Sequence, residues 1–494
     1  MVPALSSLSF LILLFPLLVS AACTDNSTDT AGLQKLLTDG SAGYKLQLCQ
    51  NQIYSLTNTL NYTASNQEIS TEGYPIGDAR AVLVVAGFNQ TTAVKASGTT
   101  QDSAALRHVI INGNRAANES VYKGGGGNIE FGGANSNQVI EYVKSYDPRG
   151  WSCMHISEGQ LNCVNATVQY NDIGPCGTDY FQNWADGISL SCSASLVQNN
   201  EIIDATDGGI VVFGAPFSTV RNNIIKAKTR VMIGGINMVD VKPWKPIGNY
   251  SHTVVEGNTI YGVTYPQQIN TLQMGNETRG PQEYQAIIKI GLALGPDAWF
   301  SDQRFGSNKS FGGVIQDNRF SGAFAFGMGV TSAKDFIIQN NTFFGNTSFI
   351  GNYGPNCTTG NKTPHPSDPL LEELSTLQNT TISVPASSPF QFVNGTAIGL
   401  TCFVPPESTS YSWPYGDGQV NSEQADKGNG TSGTSTSTGS ASQTSAASTV
   451  SSNGNESAAR RVAGLPSMKG FVLAIAITWA MSRSITAGDF TAVF

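Results

Sequence analysis

Apolar residues along this chain come in short runs: "GIVVF" at Gly209–Phe213, "RVMIGGI" at Arg230–Ile236, "AIIKIGL" at Ala286–Leu292 and "DFIIQ" at Asp335–Gln339. Gly, Asn or Asp breaks each run, and no segment keeps a helical period over three turns, so the pattern predicts short strands joined by turns. One phrase recurs: an apolar residue, two polar ones, Asn, any residue, then Ile or Phe. It reads "VQNNEI" at Asn200, "VRNNII" at Asn223, "VEGNTI" at Asn258, "IQDNRF" at Asn318 and "IQNNTF" at Asn341, with two intervals of 23 residues and longer ones that leave room for insertions. Units this short cannot fold alone and must stack on a shared core. A strand, a turn, a second strand and a second turn in about 22 residues make one coil of a parallel β-helix. A repeated Asn suits a corner of such a coil, because it tolerates left-handed backbone and its amide can bond to the Asn above and below. A sandwich would show hairpin turns at closer spacing, and a propeller blade needs about 40 residues. The segment from Tyr44 to Gly87 reads as alternating short strands leading into the coil.

The ends differ from the middle. Residues 1–22 read as a secretory signal, with an apolar run from Phe10 to Val19 and the small residues of "VSAA" for cleavage. Residues 23–405 are the expected β-helix domain, with N-terminal strands and a C-terminal extension. Residues 406–457 form a Ser/Thr-rich linker too poor in large apolar residues to bury a core. In 458–494, small residues from Ser457 to Ala459, a polar spacer and apolar Phe471–Met481 fit a glycosylphosphatidylinositol signal with attachment at Ser457, although the chain continues as "SRSITAGDFTAVF". A single transmembrane span is the competing reading, for which that run is short.

Secretion agrees with eight cysteines, an even number without CxxC spacing, and with many N-x-S/T sites such as Asn61, Asn165 and Asn394. Disulfides are therefore expected, the simplest neighbours being Cys23 with Cys49 and Cys357 with Cys402. The formal charge of −8 argues against nucleic acid as a partner and leaves membrane contact to the C-terminal anchor or tail.

With these repeats, the stretch from Leu46 to Phe344 resembles the pectin-lyase-like superfamily, most nearly its secreted fungal members. The resemblance implies an all-β, right-handed, single-stranded parallel β-helix. Among polygalacturonases, N-T-D, D-D, G-H-G and R-I-K stand on successive coils. Here "NWADG" is similar to the first with one residue inserted before Asp186, and "DATDG" (Asp204, Asp207) to the second in spread form. "IGG" at Gly234 and Gly235 has no His, and no R-x-K follows.

Asp186 opens "DGISL" and Asp207 opens "DGGIVV" 21 residues later, so one coil sets them about 4.8 Å apart as neighbours in a column. Another 23 residues lead to Arg230, and Lys289 continues the line. Three chemistries fit. In a glycosidase one carboxyl protonates the leaving oxygen and the other activates water. In a polysaccharide lyase Asp186 and Asp207 hold Ca²⁺ against a uronate while Arg230 or a Lys removes a proton. In the third reading the aspartates only cap turns. Arg149, Trp151, His155 and Glu158 fall on the preceding coil; Trp151 and Trp184 are candidate platforms for sugar rings, and Arg149, Asp204 and Lys289 candidate substrate ligands. His155 reads more readily as a structural residue. From Glu201 to Lys245 basic residues outnumber acidic ones, which suits an anionic polysaccharide. No phosphate-binding loop, HExxH or GxSxG is present. The expectation is a secreted, surface-tethered protein acting on an extracellular, acidic polysaccharide by hydrolysis or β-elimination. The alternative is a non-catalytic carbohydrate-binding or structural wall protein.

Overall fold

The computed structural model describes residues 23–115, 125–177, 184–230, 232–238, 248–262, 288–295, 310–345, 347–349, 370–372, 377–383 and 390–392. The expected signal, linker and anchor segment with Ser457, and the pair Cys357–Cys402, lie outside these residues.

Each coil gives one strand to each of three sheets, and the described strands pair in parallel with those of the coils before and after. One coil consists of Leu196–Gln198 in the first sheet, Glu201–Ile203 in the second and Gly208–Val212 in the third. Period-two alternation turns Val197 and Ile202 inward, and Ile210 joins them. On the next coil they meet Val220, Ile225 and Ile236 at matching registers, all fully buried. Each such aliphatic side chain contributes about 1.5–3 kcal/mol of burial, so the repeated apolar positions are what close the cylinder. This is the parallel β-helix that the repeat predicts.

The Asn phrase marks the corner between the first and second sheets. Nδ2 of Asn200 donates to Oδ1 of Asn223 at 2.9 Å, Asn223 to Asn258 at 2.9 Å, Asn258 to Asn318 at 2.9 Å and Asn318 to Asn341 at 2.9 Å. Asn171 begins the ladder by donating to Asn200 at 2.8 Å; its phrase, "VQYNDI", carries a Tyr where the others have a smaller residue. The left-handed residue is the one before each rung, such as Asn199 (φ 54°) and Asn222 (φ 54°). The rung Asn is held by its amide bonds, and its predecessor makes the bend.

One helix, Thr30–Asp39, is an element the strand pattern does not predict. Asp29 caps it by accepting from the Gly32 N–H at 2.8 Å. Leu33 and Leu37 are buried in the common core at the first coil, which covers an end that would otherwise expose apolar interior and strand edges. Cys23–Cys49 is bonded as expected, and Cys153–Cys176 and Cys163–Cys192 join neighbouring coils.

Candidate active site

The site residues stand on or just before strands of the third sheet: Ser152–Glu158, Asp186–Leu190, Gly208–Val212, Met232–Met238 and Ile288–Leu294. Ile188 pairs with Ile210, a step of 22 residues, whereas the two aspartates are 21 apart. The column is therefore staggered by one. Gly208 is level with Asp186 and donates its N–H to Asp186 Oδ1 at 3.1 Å, while Asp207 N–H bonds to the Ala185 carbonyl at 3.1 Å. Asp186 Oδ2 accepts from the Ser189 hydroxyl at 2.8 Å. The Asp207 carboxylate accepts no hydrogen bond among the described residues.

Both carboxyls are partly buried and both are hard to ionise. Burial pushes Asp186 well above the usual carboxylate range, and the neighbouring Asp207 charge adds to it. Burial raises Asp207 to about 6. Near neutrality one carboxyl of the pair keeps its proton while the other is ionised, which is how one site holds an acid beside a base.

Arg230 is placed differently from the count of 23. The step from Ile210 to Ile236 is 26 residues, so Arg230 lies level with Asp204, before the strand. Its backbone N–H bonds to Asp204 Oδ1 at 3.3 Å, and its guanidinium donates to the Gly177 carbonyl. Asp204 itself is buried, and its carboxylate accepts from Lys228 N–H at 2.6 Å, Thr229 N–H at 3.0 Å and the Thr229 hydroxyl at 2.7 Å. That makes Asp204 the cap of the next coil's turn, with its oxygens spent on the fold. Arg149 is likewise committed: buried, it donates to the carbonyls of Val85 at 2.7 Å and Gly87 at 2.6 Å, and burial lowers its pKa.

Trp151 and Trp184 are both partly buried beside the pair. The Trp151 carbonyl accepts from Asp186 N–H at 2.8 Å, and its indole tilts over His155 at 5.8 Å between ring centres. Trp184, two residues before Asp186, bridges to Gly177. Lys289 is fully buried; register carries the Asp207 level through Ile233 to Lys289, two coils on, and burial lowers its amine to about 7.

The third sheet of this parallel β-helix carries a mostly polar row on its outer face. No protein-family model matches the chain, and no curated protein matches it. Among solved structures it is similar to the A-module of a mannuronan C-5 epimerase from Azotobacter vinelandii, at 12% identity and a TM-score of 0.45 over 76% of this chain and 96% of that one. It is also similar to an endo-xylogalacturonan hydrolase from Aspergillus tubingensis (12% identity, TM-score 0.44, 76% of this chain and 96% of that one). A third is an alginate lyase from a Paenibacillus species (13% identity, TM-score 0.41, 66% and 96%). Likenesses of this degree carry nothing about substrate or residue roles.

The outer row runs through Lys95, Glu130, His155, Ser189, Val211 and Asn237 on successive coils. Glu130 bonds to Lys95 at 2.8 Å and to the Thr92 hydroxyl at 2.9 Å. His155 Nδ1 meets Glu158 Oε1 at 2.6 Å. Burial alone would raise Glu158, but the hydrogen bond and charge of His155, with Lys95, hold it below the ordinary range. Sequence reasoning named His155 and Glu158 without pairing them and passed over Ser189 and Asn237, whose only signal is their register with "CMHISE". Calcium takes about six to eight oxygen ligands. Both Asp186 oxygens already accept hydrogen bonds, and among the described residues no cluster of three metal-ligating side chains occurs. Among the described residues the pair therefore brings fewer oxygen ligands than calcium takes.

The basic run from Glu201 to Lys245 is also dispersed. Arg221 lies on the first sheet and bonds Gln198 at 2.9 Å, Lys226 on the second pairs with Glu201 at 2.5 Å, and Arg230 joins a turn. Lys242 and Lys245 lie outside the described residues.

Proposed function

We propose that the protein is a secreted, surface-tethered polysaccharide hydrolase, with Asp186 as general acid and Asp207 as general base or nucleophile. The observation that carries this reading is the pair itself: two carboxyls on adjacent coils, both raised, one hydrogen-bonded by Ser189 and Gly208 and the other without a donor. Protonated Asp186 gives its proton to the glycosidic oxygen, and ionised Asp207 takes a proton from water or attacks the anomeric carbon. Trp151 and Trp184 flank the bound chain as stacking surfaces. Acidic groups at Asp186, Asp207, Glu130 and Glu158, with the basic run spread over other faces, favour a neutral sugar at the cleavage point over a uronate. Attachment through Ser457 would place the enzyme at a cell wall or surface.

Incubation with plant and fungal polysaccharides tests this. New reducing ends without the ultraviolet absorbance of an unsaturated uronate are expected, with activity rising as pH passes about 6 and Asp207 ionises. Asp186→Asn should lower kcat by a factor on the order of 100–10,000. Retention of full activity in that variant would end the proposal.

Lys289 supports a second reading. An amine lowered to about 7 is suited to removing the proton next to a uronate carboxyl in β-elimination. Unsaturated products that vanish in Lys289→Arg would favour it. Glycan pull-down that persists in Asp186→Asn, without cleavage by the wild type, would leave a binding protein.

A further inference from the structure

Asp186 Oδ2 ends a short line of hydroxyls. Ser189 Oγ lies 2.8 Å from it and 3.4 Å from Oγ of Ser152, which stands level with Asp186 on the preceding coil. Ser152 in turn donates to the Met154 carbonyl at 2.9 Å and accepts the Met154 N–H at 3.0 Å. Both serines are fully buried, so their hydrogen bonds must be made within the protein. The Gly208 N–H holds the other carboxyl oxygen, Oδ1, at 3.1 Å.

A hydroxyl donates one hydrogen and has two acceptor positions. Ser152 has given its hydrogen to Met154 and taken one from it, which leaves one acceptor position, with Ser189 as the neighbouring hydroxyl. Ser189 therefore has two satisfied settings. With Asp186 ionised, the Ser189 hydrogen points to Oδ2, the short contact, and the longer contact to Ser152 is slack. With Asp186 protonated on Oδ2, the carboxyl donates to Ser189, and Ser189 turns its own hydrogen to Ser152. Neither setting leaves a buried polar hydrogen unpaired, a condition that Ser189 could not meet without Ser152 beside it. Asp207 on the next coil is the charge that acts on Asp186. His155, level with Ser189, is turned to Glu158, and Lys289 stands two coils beyond the Asp207 level.

We propose that Ser189 is the positioning residue of the acid: its hydroxyl turns between Ser152 and Asp186 and so holds the carboxyl in both of its protonation states. The proposal rests on the hydrolase reading of Asp186. As Oδ2 passes its proton to the glycosidic oxygen, which leaves with the electron pair of the broken C–O bond, the Ser189 hydrogen swings from Ser152 to Oδ2 and stabilises the new carboxylate. Ser189 acts through the acid and not on the sugar.

The test follows the carboxyl carbon NMR resonance of Asp186 across pH in the full chain carrying Asp207→Asn, so that one group titrates alone. It is repeated with Ser189→Ala and, separately, Ser152→Ala added. Ser189→Ala removes the donor to the carboxylate, the stronger of the two bonds it makes, and should raise the pH at which Asp186 ionises by about one unit, a tenfold change in proton affinity. Ser152→Ala removes the acceptor that only the protonated setting needs, and should lower that pH by about as much. Opposite signs distinguish a turning hydroxyl from a packing role, which would move both variants the same way or neither. Shifts of the same sign, or no shift, overturn the proposal. With Asp207 intact, Ser189→Ala should lower kcat about 10-fold with KM little changed, and move the alkaline limb of the pH profile upward. An unchanged kcat and profile also overturn it. A wild type that cleaves no polysaccharide overturns the hydrolase reading, while the titration still decides whether the Ser189 hydroxyl turns.

Discussion

Asp207 illustrates how a single side chain ties function to stability. Its folded-state pKa, raised by burial to about 6 from 3.8, means that the folded protein holds this proton more tightly than the unfolded chain does. Folding stability contributed by this group is thus full below about 3.8 and is lost as pH rises through about 6. Asp207→Asn removes the ionisation and should stabilise the protein by about 1–3 kcal/mol at pH 7 while changing little at pH 4, as read from denaturant melts at the two pH values. An equal effect at both would mean that the carboxyl is not held in this strained state. The aspartates were legible as a pair because both open the same phrase. The opposite fates of Asp204 and Arg149 were not, since turn-capping and carbonyl-binding depend on backbone groups from other coils.

At the scale of the element, the asparagine ladder is held by amide bonds along the coil axis. Asn258 donates to the Val220 carbonyl at 2.9 Å and to Asn318, while its Oδ1 receives both the backbone N–H and the Nδ2 of Asn223. Asn258→Ala orphans two buried donors of Asn223 and should cost about 2–4 kcal/mol in urea unfolding. Asn222→Gly, at the left-handed corner, should cost far less because Gly accepts φ near 54° without strain. Equal costs would show that backbone geometry, and not the ladder, holds the corner. The ladder was readable because each rung repeats the same chemistry at nearly constant spacing. Helix Thr30–Asp39 was not, because ten residues carry less than three turns of period, and its role arises only from the coil end it covers.

Across the whole molecule, disulfides fasten the acid pair to its scaffold. Cys153 lies in the strand whose Ser152 is level with Asp186, and Cys176 precedes the Gly177 carbonyl that receives Arg230. Replacing both Cys153 and Cys176 with Ser should cost about 3 kcal/mol from the released loop, and should lower the proposed polysaccharide cleavage more than the loss of Cys23–Cys49, which lies at the first coil. A double-serine variant with wild-type Tm and kcat would show that the bridge is incidental. By itself the sequence determined the coil, the corner and the carboxyl pair, because apolar periodicity and repeated asparagine act through neighbours one coil away. Only the tertiary structure decided the one-residue stagger of Asp207, the removal of Arg230 from the column and the pairing of His155 with Glu158. Those outcomes depend on the exact number of residues in each turn, and one extra residue moves every later side chain relative to the coil below it.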